Sequence, residues 1–250
     1  MASDFPVVFA LFPNVTQLDF TGPLEVFARL PGAKVVLASA CGGELALEGG
    51  MTLARLAPLA AVSECALLCV PGGFGTSAAM EDAEYLAQLR RLAGMARYVT
   101  SVCTGSLLLG AAGLLQGKRA ACHWAARELL PWFGAIPDPG RVVRDGSLIS
   151  GGGVTAGIDL ALTVLAEIGG RDLAEAVQLA IEYAPAPPFD SGRPDTARAA
   201  VLDAVRQRFE EFWPERVAAA QRAAALLGAH PARALKPSRA PRGSANLASP

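Results

Sequence analysis

Cys103 is the residue of this sequence best placed to act as a nucleophile. It follows the apolar, β-type segment 98–102 and precedes Thr104-Gly105-Ser106, small residues that open a helix. A side chain at such a strand-to-helix turn, a nucleophile elbow, emerges at the carboxyl edge of a sheet above a helix N-terminus. The unpaired amides there favour a thiolate, the form that attacks carbon. The alternative is a buried cysteine that serves as a small hydrophobe.

Asp19 is a candidate proton donor and acceptor for the same chemistry. It lies between Leu18 and Phe20, just before Thr21-Gly22-Pro23, whose proline fits the first position of a helix. Partial burial at this helix entrance predicts a raised proton affinity, so the carboxyl group could act first as general acid and then as general base. An ordinary aspartate at a helix entrance is the simpler alternative.

The glycine pair Gly72-Gly73 follows another apolar, strand-like segment. Glycine lets backbone amides approach a reacting centre, so the amides of Gly73 and Thr104 are predicted to stabilise developing negative charge. The stretch also matches a dinucleotide-binding fingerprint, but weakly, because Cys103 occupies the place where a ribose-binding acid is expected. A tight turn without chemistry is the remaining alternative.

His123 is a possible accessory base, since the other histidine, His230, lies in a basic terminal segment. It follows a possible strand at 119–122, a position that suits either a base or a histidine satisfied by the backbone. Metal chemistry is not expected, because Cys122-His123 has no partner pair at zinc-ligand spacing.

The elements that must position these residues alternate between strands and helices. Apolar strands at 7–12, 34–39, 66–70 and 98–102 predict a parallel sheet covered on both faces. Glycine pairs predict a small hairpin within 41–56, and Asp145-Gly146 predicts another between 141–144 and 147–150. Helices are predicted to begin at Pro23 and to span 82–96, 156–168, 172–183, 196–212 and 215–227. In such sheets, ligands bind beyond the carboxyl ends of the strands.

Composition limits the classes of protein that fit. The 250 residues are 52% hydrophobic and 18% charged, with a net charge of -1, which argues against a nucleic-acid partner. No apolar run reaches the roughly 18 residues of a membrane span, and five cysteines without framework spacing suggest a reducing, cytoplasmic location. One α/β domain at 1–229 and a disordered basic tail at 230–250 are expected.

Several motifs together resemble the ThiJ/PfpI superfamily, and the resemblance covers most of residues 5–190. Two features make the resemblance more specific, to the bacterial isocyanide hydratases. One is Asp19, at a position where a glutamate is common elsewhere in the superfamily, and the other is the stretch Tyr-Ala-Pro-Ala-Pro-Pro. The segments that carry it are 17–23, 71–73, 101–106, 110–118, His123-Trp124 and 182–189.

The resemblance implies a flavodoxin-like three-layer sandwich, a homodimer, and hydration of an isocyanide to an N-substituted formamide without metal or organic cofactor. Cys103 would attack the isocyanide carbon while Asp19 delivers a proton, and water assisted by Asp19 would then release the formamide. Thr104 and Gly72-Gly73 would orient the intermediate, and His123 would be dispensable.

Other activities of related domains stay open at this stage. A ligand-sensing regulator is disfavoured, because too little chain follows Pro188 for paired DNA-binding modules. A glyoxalase-like, deglycase-like or peptidase-like enzyme would use the same elbow, and a peptidase would need His123. An oxidation sensor would instead carry a Cys103 sulfinate held by Asp19.

Overall fold

The computed structural model describes residues 4–228. The predicted tail at 230–250 lies outside the described residues, so the division into a domain and a tail stays a prediction. Within residues 4–228, no helix combines the length and apolar character needed to span a membrane.

The described part of the chain contains ten strands, whose sequences are mostly short apolar runs of the kind found in buried sheets. They are β1 (Phe5–Leu11), β2 (Ala33–Ser39), β3 (Gly43–Ala46), β4 (Thr52–Pro58), β5 (Leu67–Val70), β6 (Tyr98–Val102), β7 (Arg119–Ala120), β8 (Ile136–Pro137), β9 (Val142–Asp145) and β10 (Leu148–Gly151).

Eight of these strands form one sheet in the order β3-β4-β2-β1-β5-β6-β10-β9. The inner pairs, from β4 through to β10, are parallel, and only the two edge pairs are antiparallel. The predicted parallel sheet is therefore confirmed, and so are both predicted hairpins, which form its edges. Strand β5, at the centre, is buried along its whole length.

The helices cover the sheet. They are α1 (Gln17–Phe27), α2 (Thr76–Ala79), α3 (Ala83–Met95), α4 (Gly105–Ala111), α5 (Ala156–Gly169), α6 (Arg171–Ala180), α7 (Ala199–Glu210) and α8 (Trp213–Leu226). One group consists of α1, α5 and α6, and a second group joins α2, α3, α4 and α8. Buried leucines in α3 and α4 and buried alanines in α8 form part of the core.

Two local predictions are wrong. The first helix begins at Gln17 rather than Pro23, so Pro23 lies inside α1 and Asp19 lies in its first turn. The segment 119–122 supplies only the short strand β7, which pairs with β8 in a separate two-stranded sheet. The place beside β6 is taken by β10, so His123 does not follow a strand of the main sheet.

Three adjacent strands, β1, β5 and β6, bring the candidate residues to one edge of the sheet. The loop after β1 leads into α1 and Asp19, the glycine turn (residues 71–73) follows β5, and Cys103 follows β6. This is the carboxyl edge, where ligands bind in open α/β sheets.

Gly105 shows how closely the helix after Cys103 approaches the central strand. A Cβ atom there would overlap the carbonyl oxygens of Val70 and Pro71. We expect Gly105→Ala to lower the free energy of unfolding by about 3 kcal/mol or more, because backbone rather than a flexible side chain would have to move.

Gly94→Ala is the matched control, since a Cβ at this helical position meets no atom within 4 Å. Helix propensity predicts that it leaves stability unchanged or raises it by up to about 1 kcal/mol. Urea unfolding of the two variants measures both changes. Equal stability of the two variants would contradict the close approach at Gly105.

Candidate active site

The glycine turn connects the loops that carry the other candidate residues. The amide of Thr16 donates to the Gly72 carbonyl oxygen at 2.9 Å, which attaches the loop before α1. The amide of Gly73 donates to Thr104 Oγ1 at 3.0 Å, which attaches the residue after Cys103. A Cβ at Gly72 would overlap the backbone nitrogen and Oγ1 of Thr104. A glycine is therefore required for the two loops to approach so closely.

The backbone at Cys103 has the strained conformation typical of a nucleophile elbow. Its φ angle is 59°, in the left-handed region that a residue with a side chain rarely adopts. The amide of Cys103 donates to the Gly151 carbonyl oxygen at 3.0 Å, which fixes the turn against β10. Strain of this kind costs about 1–3 kcal/mol and collects at functional sites. The side chain is 6% exposed.

The Asp19 carboxyl group is fully buried, and only one of its oxygens is paired. Oδ2 accepts the Gly72 amide at 2.8 Å, whereas Oδ1 has no hydrogen-bond partner among residues 4–228. Burial raises the pKa of Asp19 to about 7, against opposing effects from the Gly72 amide and Cys103. Glu48, which accepts a hydrogen bond from Thr16, adds to the rise. The expected raised proton affinity is therefore present.

Cys103 differs from the sequence-based expectation of a resting thiolate. Burial raises the pKa of its thiol well above the ordinary value, and the charges of Asp19 and Cys122 raise it further. The Thr104 amide opposes this rise, but burial is the larger effect. The resting site therefore holds a thiol beside a carboxyl group that titrates near neutral pH.

Thr104 is held by a chain of hydrogen bonds. Thr76 Oγ1 donates to the Gly73 carbonyl oxygen at 2.8 Å and lies 2.8 Å from Thr104 Oγ1. Because the Thr76 proton is already used, Thr104 donates to Thr76 and accepts from the Gly73 amide. The amides of Gly73 and Thr104 were both predicted to stabilise developing negative charge. The Gly73 amide is already bonded to Thr104 Oγ1, so stabilisation of that charge stays a prediction for the Thr104 amide alone.

His123 lies in an apolar wall. Burial, together with the charges of Arg216 and Arg127, lowers the pKa of His123 to about 4, so its ring is neutral at physiological pH. Nδ1 accepts the Ala125 amide at 3.3 Å, and the ring centroid lies 5.6 Å from that of Phe209. These contacts favour a structural role over that of an accessory base.

The positions of Phe20, Phe74 and Trp124 beside the candidate loops predict an apolar pocket, and an aromatic pocket is present whose lining includes Phe74. Its rings from α7, α8 and the segment between them were missed by sequence reasoning, among them Phe212, whose ring centroid lies 5.1 Å from that of Phe74. The clustering of Phe209, Phe212 and Trp213 in an otherwise alanine- and arginine-rich segment was the available signal. The pocket is lined by Phe74, His123, Ala125, Ala126, Phe209, Phe212, Trp213 and Arg216.

Phe20 and Trp124, also considered as pocket residues, do not line this pocket. Phe20 is buried in the core, and Trp124 packs edge-on against Phe209 from a neighbouring depression. Among residues 4–228, no group of three or more metal-ligating side chains is placed to hold a metal ion.

A mostly parallel sheet flanked by helices, with a cysteine at a strained strand-to-helix elbow, defines a flavodoxin-like α/β protein of the cysteine-elbow class. The family model described as DJ-1/PfpI matches residues 6–167, and the chain belongs to that family. A ThiJ/PfpI family protein from Pseudomonas syringae has a similar solved structure. It is 40% identical, with a TM-score of 0.84 over 87% of this chain and 91% of that one.

Two curated relatives differ in kind. An isonitrile hydratase of Pseudomonas putida is 54% identical over 88% of this chain and 96% of its own length. The HTH-type transcriptional regulator CdhR of Pseudomonas aeruginosa is 32% identical over 71% of this chain, but the match spans only 54% of the regulator. The family therefore includes both enzymes and regulators.

The raised pKa of Asp19 makes stability depend on pH. Between the ordinary carboxyl pKa of 3.8 and the folded value of about 7, the unfolded chain releases a proton that the folded chain retains. The stabilising contribution is complete below the lower value and is lost as the pH rises through the higher one. Asp19→Asn cannot ionise. From about pH 4 to pH 8, wild type should therefore lose about 2–4 kcal/mol relative to this variant.

Urea unfolding of both proteins across this pH range measures the difference. Other titrating groups, including His123, are common to both proteins and cancel in the comparison. A stability difference that does not change with pH would contradict the burial of an ionisable Asp19.

Proposed function

We propose that this protein is an isocyanide hydratase, which adds water to an isocyanide and releases an N-substituted formamide. The observation that carries the proposal is the fully buried Asp19 beside Cys103, with a pKa of about 7 and one oxygen without a partner. A carboxyl group of this kind can give and take a proton at neutral pH. The similarity to an isonitrile hydratase over nearly its whole length supports the same reaction.

In the first step, Asp19 as carboxylate takes the proton of the Cys103 thiol. Sulfur then forms a bond to the terminal isocyanide carbon, and the protonated Asp19 returns the proton to that carbon. The product is a thioimidate, in which carbon is bonded to sulfur, hydrogen and the substituted nitrogen. Because the proton only crosses between neighbouring groups, the high pKa of the thiol does not prevent the attack.

In the second step, Asp19 accepts a proton from water, the water oxygen bonds to the thioimidate carbon, and Asp19 passes that proton to the nitrogen. The carbon–sulfur bond of the adduct then breaks as its hydroxyl group becomes the formamide carbonyl, and Asp19 transfers the hydroxyl proton to the sulfur. Formamide leaves, and Cys103 and Asp19 return to their starting states. No electrons are gained or lost, so the reaction needs no redox cofactor.

The glycine turn serves this chemistry by positioning both reacting side chains. The Gly72 amide fixes Oδ2 of Asp19 and leaves Oδ1 for proton transfer, while the Gly73 amide fixes Thr104. A homodimer and a cytoplasmic location remain predictions.

Three variants test the chemistry by formamide production from a simple alkyl or aryl isocyanide. Cys103→Ala should abolish turnover, because the bond to carbon cannot form. Asp19→Asn should lower kcat by about 10²–10⁴-fold, since the amide cannot exchange a proton. His123→Ala should keep most of the turnover, because the neutral ring of His123 packs in an apolar wall.

Cys41→Ala is the control for loss of a thiol elsewhere, since Cys41 is exposed and free in the structure. It should be as active as wild type. A wild-type protein that hydrates none of several isocyanides would contradict the proposal and favour a sensor, in line with the partial match to the regulator. Loss of formamide production in His123→Ala would contradict the dispensable role of His123.

A further inference from the structure

Arg216, on α8, reaches the glycine turn from a distant part of the chain. Its Nη2 atom donates to the carbonyl oxygens of Gly73 at 3.1 Å and Phe74 at 3.3 Å, and its Nε lies 3.5 Å from Ser77 Oγ. The Arg216 side chain therefore holds the Gly73–Phe74 peptide group. This group directly follows the Gly72 amide, which bonds to Asp19, and the Gly73 amide, which bonds to Thr104. Arg216 itself lies outside residues 6–167, the part of the chain that the family model matches, whereas its partners lie within it.

Arg216 forms no ion pair with any residue in 4–228. Arg127, which also acts electrostatically on Cys122 and His123, forms none either, but it makes no hydrogen bond to the glycine turn. Arg222, on the same helix as Arg216, pairs with Glu81 on the protein surface. Arg216 instead bonds only to carbonyl and hydroxyl oxygens, and its side chain is partly buried at the edge of the pocket that it lines. A cation held in this way projects its field into the neighbouring site, because solvent screens a partly buried charge less than an exposed one.

A positive charge near the Cys103–Asp19 pair would stabilise the negative charge that this pair carries during the reaction. When Cys103 and Asp19 have together lost one proton, the pair carries a single buried negative charge, on sulfur or on the carboxylate. Arg216 interacts favourably with the charged forms of Cys103 and Cys122. The groups that act on the Cys103 thiol are Asp19 from α1, Cys122 and the Thr104 amide. Arg216 is affected by Cys103, Cys122 and Glu215, and Arg127 is a second cation that acts on Cys122.

We propose that Arg216 is a positioning residue for the cysteine chemistry proposed above, which clamps the glycine turn and stabilises the Cys103 thiolate as it forms. Through the Gly73 carbonyl it fixes the turn whose amides orient Asp19 and Thr104. Through its charge it balances the negative charge that passes between sulfur and carboxylate. The helix α8 is then part of the active site and not only a cover on the fold.

The rate of Cys103 alkylation by iodoacetamide, followed by peptide mass spectrometry across a range of pH, tests this assignment. Arg216→Gln should slow alkylation at neutral pH by about tenfold and move its pH dependence upward, because the thiolate loses one nearby cation. Arg216→Lys keeps the charge and should stay within about threefold of wild type. If the glutamine variant does not fold, Arg216→Met, of similar length, replaces it.

Arg222→Gln is the matched control, because it removes an arginine from the same helix and breaks a contact with the loop after α2. It should alkylate as wild type does. Equal slowing in Arg222→Gln, or unchanged alkylation in Arg216→Gln, would overturn the proposal and reduce Arg216 to an anchor of α8. Alkylation needs no isocyanide, so this result is independent of whether the hydratase activity is found.

Discussion

The hydrogen bond from the Gly72 amide to Asp19 Oδ2 is the contact on which the site depends. It joins the turn after β5 to the first turn of α1, while the next amide, of Gly73, joins the same turn to Thr104. Three loops from adjacent strands are thereby fixed to one another by backbone donors, which cannot change rotamer. The acid and the thiol then need no further carboxylate or histidine to hold them in place, and Oδ1 of Asp19 is left for chemistry.

Much of the fold could be predicted because its signals are local. The segment 98–102 and the small residues after Cys103 indicated the strand-to-helix turn, and the structure has β6 with those bounds and the strained φ at Cys103. Asp145-Gly146 indicated the β9–β10 hairpin, with the turn displaced by one residue, since Asp145 pairs with Leu148. Each signal depends on a few neighbouring residues, which is why sequence alone suffices.

The errors concern properties set by distant parts of the chain. Pro23 favoured a helix start, yet the loop attached to the glycine turn lets α1 begin at Gln17. The elbow favoured a thiolate, but burial outweighs the Thr104 amide and raises the pKa of Cys103. Arg216 could not be assigned, because its partners Gly73 and Phe74 lie over 140 residues earlier. Desolvation and long-range contacts exist only once the chain is folded.

Three features that each lower stability occur together at this edge of the sheet. The backbone of Cys103 is in the left-handed region, and one oxygen of the buried Asp19 carboxyl group has no hydrogen-bond partner. Arg216 forms no ion pair with a carboxylate of residues 4–228 and bonds to carbonyl oxygens instead. Any one of them could be tolerated by chance in a core of this size. Their concentration around one thiol is better explained by chemistry, because each cost becomes a gain at a charged transition state: a sulfur placed at the carboxyl edge of the sheet, a proton held near neutral pH, and a nearby positive charge.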